Sequence, residues 1–420
     1  MPRRINRATV VAGLGATALM AVAACGSSPG SPAASGGGGD ITIGIIGPMT
    51  GARADVGKGM TVGAQLALKE INDHGGVLGR HVNLVVQDDA GDPGDAVPAA
   101  QKEIQSDNVS AIVGPTALTA SVVLPLIDRA NIPMLMWGGG SAFDKMNDPH
   151  FFRMSPSDTQ QAYAMVVYAH NKGWNKVALA VGNTSADQSL SPGIVEAAKK
   201  LGMTITSQVT ITIGSTSFRS EISNLMSGQP QAVLAQFDIP SAGVLFGQLA
   251  QQGLSATPWV ASNLWYANEF YKSVGAAGAS GPVYIVNPAA GSLGEPHFLE
   301  VLKAEKGRSA PNNGEEVMYD GTITWALGVA KAGTLSMPDV GKGIVAAANG
   351  PGTACGDYAT CLGLIKAGTP TDWQGAASSV DFDQYHNVFG GFDILHYNAD
   401  GTTAKADTLT PKQLETALAG

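Results

Sequence analysis

Charge is scarce in this chain: Asp, Glu, Lys and Arg together make up 14% of its 420 residues. A disordered chain needs dense charge and few apolar residues, whereas 44% here are hydrophobic, so a packed structure is expected. Lys and Arg nowhere gather into a stripe, and the formal charge is −9. Nucleic acid is therefore not an expected partner, because a basic footprint supplies most of the affinity for phosphates. Beyond the first two dozen residues, no apolar run approaches the ~18 residues of a spanning helix. Catalytic signatures are missing too. The sequence has no G-x-S-x-G, no P-loop, and no G-x-G-x-x-G followed by a ribose-binding acid at a strand–helix junction. The seven histidines are scattered, without an H-E-x-x-H, and read as surface or satisfied residues. With no nucleophile–base pair at a strand end, an enzyme is not expected, and neither is a cofactor or a metal. Asp88, Asp89 and Asp92 cluster, but they lack the alternating ligands and closing Glu of a calcium loop. They read as a solvated loop, as do Glu315-Glu316 and Asp381-x-Asp383.

Cysteine is equally sparse, and its three positions are informative. Arg3, Arg4 and Arg7 precede a run of small and apolar residues, 8–24, that ends in Val22-Ala23-Ala24-Cys25. A positive start, a short apolar stretch and small residues before a cleavage point describe a secretory signal. A Cys directly after them matches the bacterial lipobox, which implies cleavage before Cys25 and acylation of its side chain. Residues 1–24 are thus read as a lipoprotein signal peptide. Residues 25–39 (CGSSPGSPAASGGGG) read as a flexible tether with nothing to bury. The other two, Cys355 and Cys361, are spaced C-x5-C without a companion His or Cys pair. Outside the cytoplasm that spacing favours a local disulfide over the alternative, a metal site.

The length exceeds what one hydrophobic core fills and suits two lobes of roughly 150–200 residues each. From residue 40 the pattern alternates. Apolar strands are read at 41–46, 82–86, 111–113 and 132–136, with helices at 59–72, 95–106 and 119–130. A second set places helices at 160–172, 192–201, 218–226 and 242–252 among strands at 176–181, 203–213, 232–236, 259–261 and 281–286. Helices at 296–305 and 315–332 follow, then strands near Phe382 and at 392–397, ending in the NADG turn at 398–401. Trp325, Leu327 and Val329 read as core. Continuous apolar strands alternating with helices imply α/β lobes whose parallel sheets are covered on both faces.

Several phrases, in order, carry a resemblance: GPMTG at 47–51, GAQLA at 63–67, EINDHGGVLG at 70–79, DDAGDP at 88–93, IVGP at 112–115, IPM at 132–134 and YD at 319–320. Colinear over 40–402, they resemble the type I periplasmic binding proteins of ABC importers, specifically the leucine/isoleucine/valine-binding branch. That resemblance implies two Rossmann-like lobes joined by three crossovers, with solute held between them. The N-terminal lobe is expected at 40–156 and 285–380, and the C-terminal lobe at 157–284 and 381–420.

In open parallel sheets, ligands bind beyond the carboxyl ends of strands. Two loops suit that position. GPTALT at 114–119 opens a helix, so its free N–H groups and the hydroxyls of Thr116 and Thr119, with Ala117 and Leu118 between them, are candidates for holding a carboxylate. WGGGS at 137–141 lets backbone approach a solute through Gly139 and Gly140, beside Ser141, with Trp137 covering an apolar part. From the second lobe the resemblance places Asp238 and Asn263 at the cleft. Branched-chain amino-acid receptors usually carry an acidic residue at the latter position to meet the ligand ammonium. Asn263 departs from that pattern, so either Asp238 supplies the charge or the ligand lacks an ammonium. In the second case Trp265 and Tyr266 would suit stacking on an aromatic or sugar face. The expected function is a lipid-anchored, extracytoplasmic receptor that captures a small polar solute, a branched-chain or related amino acid being favoured. It would work as a monomer and deliver the solute to a membrane permease. The alternative is the same fold binding an aromatic carboxylate, amide or polyol, or serving as a sensor module.

Overall fold

The structure is a computed structural model that describes residues 39–289 and 292–418. The signal segment, Cys25 and nearly all of the tether lie outside them. Five strands, β1 (Ile41–Gly47), β2 (Val82–Asp88), β3 (Ile112–Thr116), β4 (Met134–Trp137) and β5 (Phe151–Arg153), form a parallel sheet. Its order is β2-β1-β3-β4-β5. The next five are β6 (Lys176–Gly182), β7 (Thr204–Ile211), β8 (Ala232–Gln236), β9 (Trp259–Ser262) and β10 (Val283–Pro288). They repeat that order as β7-β6-β8-β9-β10. A small parallel pair, β11 (Thr353–Cys355) with β12 (Thr371–Trp373), packs on the first lobe. The hairpin β13 (Phe392–Tyr397) and β14 (Thr403–Leu409) then extends the second sheet antiparallel to β10.

Why the central strands are largely apolar follows from burial on both faces. On β1, Ile43 and Ile45 enter one core and Ile46 the opposite one. On β6, Val177, Leu179 and Val181 face one layer while Ala178 and Ala180 face the other. Each fully buried Val or Ile contributes roughly 1.5–3 kcal/mol, so a one-residue slip in register would forfeit several such terms at once. Helix starts are fixed by short polar side chains. Asp92, Ser157 and Asp238 accept from the first-turn amides of Gly94, Gln160 and Ser241 to cap helices Pro93–Gln105, Asp158–Asn171 and Ile239–Gln251.

The chain passes between the lobes three times, and the passages lie side by side. Gly390 packs on Pro156, and the Ala289 amide donates to the Gly391 carbonyl at 2.9 Å. Two expected seams move. Because Ile285 and Val286 pair with Ala261 and Ser262, the second lobe runs through Pro288 rather than ending at 284. Because Phe382 and Val388 lie in the first core, that lobe holds the chain through Val388 rather than releasing it at 380. Near Phe382 there is only a bridge to Val388, not a strand. Cys355 and Cys361 are disulfide-bonded, with Cα atoms 5.4 Å apart. Among the described residues, no helix is long and apolar enough to cross a membrane.

Candidate functional site

In each lobe the strand order reverses once, between β1 and β3 in the first and between β6 and β8 in the second. The crevice outside the strand ends at such a reversal is where open α/β sheets bind ligands. In the first lobe it is bounded by the loops after β1 and β3. Thr116 ends β3 at 7% exposure, and its Oγ1 has no hydrogen-bond partner among the described residues. A buried hydroxyl without a partner costs about 1–3 kcal/mol, and a water or solute in the crevice would satisfy Thr116. Leu118 is exposed at the rim, beside Gly91. Thr119 departs from expectation. It is fully buried, and its hydroxyl donates to Asp89 Oδ2 at 2.7 Å, so it braces the loop and is not available to a solute.

The glycine loop after β4 meets this loop directly. Trp137 pairs with Thr116 across the strands, and the Ala117 amide donates to the Trp137 carbonyl at 3.0 Å. Gly138 has φ +142, and any Cβ there would strike Ala117. Trp137 is partly buried, its ring edge over Gly314 at the start of helix Glu315–Ala332. Ser141 is exposed. A fully buried arginine holds the loop in place: Arg153 Nη1 donates to the carbonyls of Gly139 at 3.3 Å and Gly140 at 3.0 Å, and Nη2 to Asp144 at 2.7 Å.

Contacts then cross to the second lobe. The amide of Asp158, first residue of helix Asp158–Asn171, donates to the Gly139 carbonyl at 2.7 Å, and a Cβ on Gly139 would overlap the Asp158 carboxylate. Burial raises the Asp158 pKa, opposed by a hydrogen bond from Ser189 and by the Arg153 charge. One turn on, Gln161 Nε2 donates to Asn263 Oδ1 at 3.1 Å and to the Val286 carbonyl at 2.7 Å. Thr116, Trp137, Gly139 and Asn263 are thus linked through one helix. Asn263 is exposed, and with Oδ1 engaged it presents its NH2 group. Asp238 follows β8 at the second reversal; Oδ2 caps its helix, while Oδ1 is buried and unpartnered.

Trp265 is not a stacking surface. It is fully buried, its Nε1 donates to the Phe237 carbonyl at 2.8 Å, and its ring stacks on Phe270 at 4.8 Å. Tyr266, its neighbour, is 47% exposed. The acidic pair at 315–316 is also not solvated. Glu315 is fully buried and bound by Arg308 and by the Asn312 amide. Burial, with Glu295 and Glu315 nearby, pushes the Glu316 carboxyl up to about 7. Glu316 lies two residues after Gly314, which the Trp137 ring edge covers, and sequence reasoning missed it because two adjacent acids at a helix start look like a solvated first turn. Nor do the acids at 88–92 form a free cluster. Asp88 accepts from Met49 and Thr50, Asp89 from Thr119, and Asp92 from Gly94. His150 lies with Asp128 and Asp148, its Nδ1 3.2 and 3.3 Å from them, at the end of the first sheet opposite the cleft.

Two concave surfaces lie away from these loops. One of about 500 Å³ is lined by Tyr168, Lys172, Pro282 and Tyr284, and one of about 400 Å³ flanks helix Pro411–Leu418. Neither sits at a strand-order reversal, so geometry favours the loops over the grooves as the principal site.

Comparison with known proteins bears on this arrangement. A family profile described as periplasmic binding protein matches residues 40–356. The chain is 30% identical over 253 residues to a Leu/Ile/Val-binding protein of Rhizobium johnstonii, covering 58% of this chain and 67% of that one. It is 28% identical over 277 residues to Leu/Ile/Val-binding protein homolog 3 of Brucella melitensis, covering 65% and 73%. Among solved structures it resembles a leucine-binding protein of Thermotoga maritima, with TM-score 0.70 and 21% identity over 89% of this chain and 99% of that one. It also resembles a solute-binding protein of an ABC transporter from R. palustris in complex with benzoate, with TM-score 0.67 and 18% identity over 89% and 97%.

Proposed function

We propose, from the premise that this chain belongs to the periplasmic binding protein family, that it captures one small polar solute between its lobes and hands it to a membrane permease. It is a type I binding protein of the branched-chain amino-acid group, the substrate-binding part of an ABC transporter, and the family is extracytoplasmic. The observation that carries the capture reading is the strand-order reversal in each lobe, each with a buried polar atom that has no hydrogen-bond partner among the described residues. These are Thr116 Oγ1 in the first lobe and Asp238 Oδ1 in the second. A branched-chain or related amino acid suits the pair. Its carboxylate would take the Thr116 hydroxyl and the free amides opening helix Ala120–Ala130, and its ammonium would take Asp238. Side-by-side passages between the lobes suit a hinge, and preferential binding to the closed form drives closure.

A second reading rests on Asn263. An exposed amide donor where a carboxylate would meet an ammonium favours an acceptor-bearing solute, such as an aromatic carboxylate, an amide or a polyol. The relative solved with benzoate shows that the fold accommodates one such class. The same fold acting as a sensor module would bind in the same crevice and differ only in partner. We further propose that Cys25 carries the lipid and that residues 25–39 let a monomer range over the outer face of the membrane. Replacing Cys25 by Ala should move the protein from the membrane fraction to the soluble fraction.

Thermal melting with amino acids, aromatic acids, amides and sugars tests the capture reading. A solute at a hundredfold excess over Kd adds about 2.7 kcal/mol. An amino-acid response that vanishes in Asp238→Asn, whose side chain still caps the helix, supports the first reading. A response confined to solutes without an ammonium supports the second, and no response from any class would count against both.

A further inference from the structure

We propose a second ligand site on the second lobe, at the end of its sheet opposite the cleft, where a groove takes a small aromatic carboxylate. The groove is open to solvent and offers about 500 Å³. It opens before β10 at Pro282 and below the end of helix Asp158–Asn171. The cleft loops follow the other ends of the parallel strands, roughly 20 Å away along a six-residue strand.

Its base is Tyr168, fully buried on that helix, whose hydroxyl finds no hydrogen-bond partner among the described residues. A buried hydroxyl of this kind is satisfied by a bound water or by an acceptor on a ligand. Burial, together with Tyr284 and Asp407, raises its ionisation well above the ordinary range, so at neutral pH it is a donor seeking an acceptor. Tyr284 forms one wall, with Pro282 and His396 also lining the groove, and Trp174 packs behind Tyr284. Tyr284 lies 5.4 Å from the Tyr168 ring centre and 5.8 Å from Trp174. Two lysines of this lobe, Lys200 and Lys405, pair with Glu196 and Asp393, while Lys172 is among those with no ion pair among the described residues. Lys172 instead stands with Nζ 5.1 Å from the Tyr168 ring centre, bringing a positive charge to the groove. Asp407 is exposed and accepts from the Thr408 amide, so solvent weakens its opposing field. A flat apolar body for the rings, an acceptor for Tyr168 and a negative charge for Lys172 together describe an aromatic carboxylate. A polyol lacks the charge and the apolar face, and an amine would be repelled by Lys172.

The probe is 4-fluorobenzoate, followed by fluorine NMR. Because the cleft itself is a candidate for aromatic acids, the protein carries Thr116→Val and Trp137→Ala to disable that site. In this background the expected result is one saturable site. Adding Tyr168→Phe, which removes only the hydroxyl, should weaken binding at least about tenfold, the share of one hydrogen bond to a charged acceptor. Adding Lys172→Gln, an exposed change that spares the core, should weaken it severalfold, and 4-fluorobenzamide should bind more weakly than the acid. If the probe shows no saturable binding once the cleft is disabled, the groove holds water only and the proposal fails. It fails equally if binding persists unchanged in both Tyr168→Phe and Lys172→Gln.

Discussion

Glu103 offers the sharpest energetic test of the first lobe. It lies on helix Pro93–Gln105, fully buried, with its carboxyl over Gly44 of β1. Among the described residues neither carboxyl oxygen has a well-formed hydrogen bond; the nearby Ile45 amide and the Lys102 charge favour ionisation but are outweighed. Burial first, and the Asp107 charge second, push its pKa up to about 8, against 4.5 for a free glutamate. The folded pKa is raised, so its contribution is fully present below about pH 4.5 and is lost as pH climbs toward 8. Above 4.5 the unfolded chain releases a proton that the folded chain must keep. The whole span of about 3.5 pH units corresponds to a loss on the order of 4–5 kcal/mol, at about 1.4 kcal/mol per unit. Glu103→Gln keeps the shape and removes the titration. Urea unfolding of both proteins from pH 5.5 to 7.5 should therefore show the variant gaining on the wild type by on the order of 2–3 kcal/mol across that interval. Glu316 and Asp320 titrate nearby in pH but are common to both proteins, so the difference isolates Glu103. A stability difference that stays flat with pH would mean that the folded protein already holds an ionised Glu103, and the burial argument would be wrong.

Three other perturbations separate binding from support. Thr116→Val should leave the melting temperature of the free protein within a degree or two and abolish the shift caused by solute; a retained shift would place the ligand elsewhere. Trp265→Ala should destabilise by about 3–5 kcal/mol, the cost of emptying a buried aromatic site. Loss of binding without loss of stability in that variant would restore Trp265 to the cleft. Reducing the Cys355–Cys361 disulfide, which closes a loop of sequence separation 6, should lower stability by about 2 kcal/mol in denaturant titrations, and no change on reduction would show that the loop is held without it.

How much of this was legible in the sequence depended on whether a residue's role follows from its local pattern. The buried strands were, because two-sided burial writes continuous apolar runs such as ITIGII at 41–46, and helix Glu315–Ala332 was found with its observed ends. Short or polar elements were not. FFR at 151–153 is three residues long and ends in a charge, yet it is the sheet edge whose Arg153 holds the glycine loop. Helices Asn268–Ala279 and Asp339–Ala348, rich in Gly and Ala, and the edge strand β14, polar on one side, gave weak periodicity.

Within the site, the loops were found but not the orientation of each side chain. Thr116 and Thr119 are chemically alike and three residues apart, and only packing reveals that one hydroxyl is free while the other is spent on Asp89. Trp265 ends a single turn of 3-10 helix and Tyr266 directly follows it, which sends one into the core and the other to solvent. A sequence gives their presence at such a turn but not its phase. The buried unpartnered atoms of Asp238 and Tyr168 have no sequence signal at all, because each is defined by what surrounds it in three dimensions.

The central claim is that two lobes close on a solute. Spin labels at Leu118 and Leu264, both exposed on the strand-end loops of opposite lobes, report it directly through double electron–electron resonance with the solute that gives the largest melting shift. The account predicts that the label separation shortens and its distribution narrows on saturation, and that Thr116→Val removes the change. A separation that stays the same with solute demonstrably bound would contradict it.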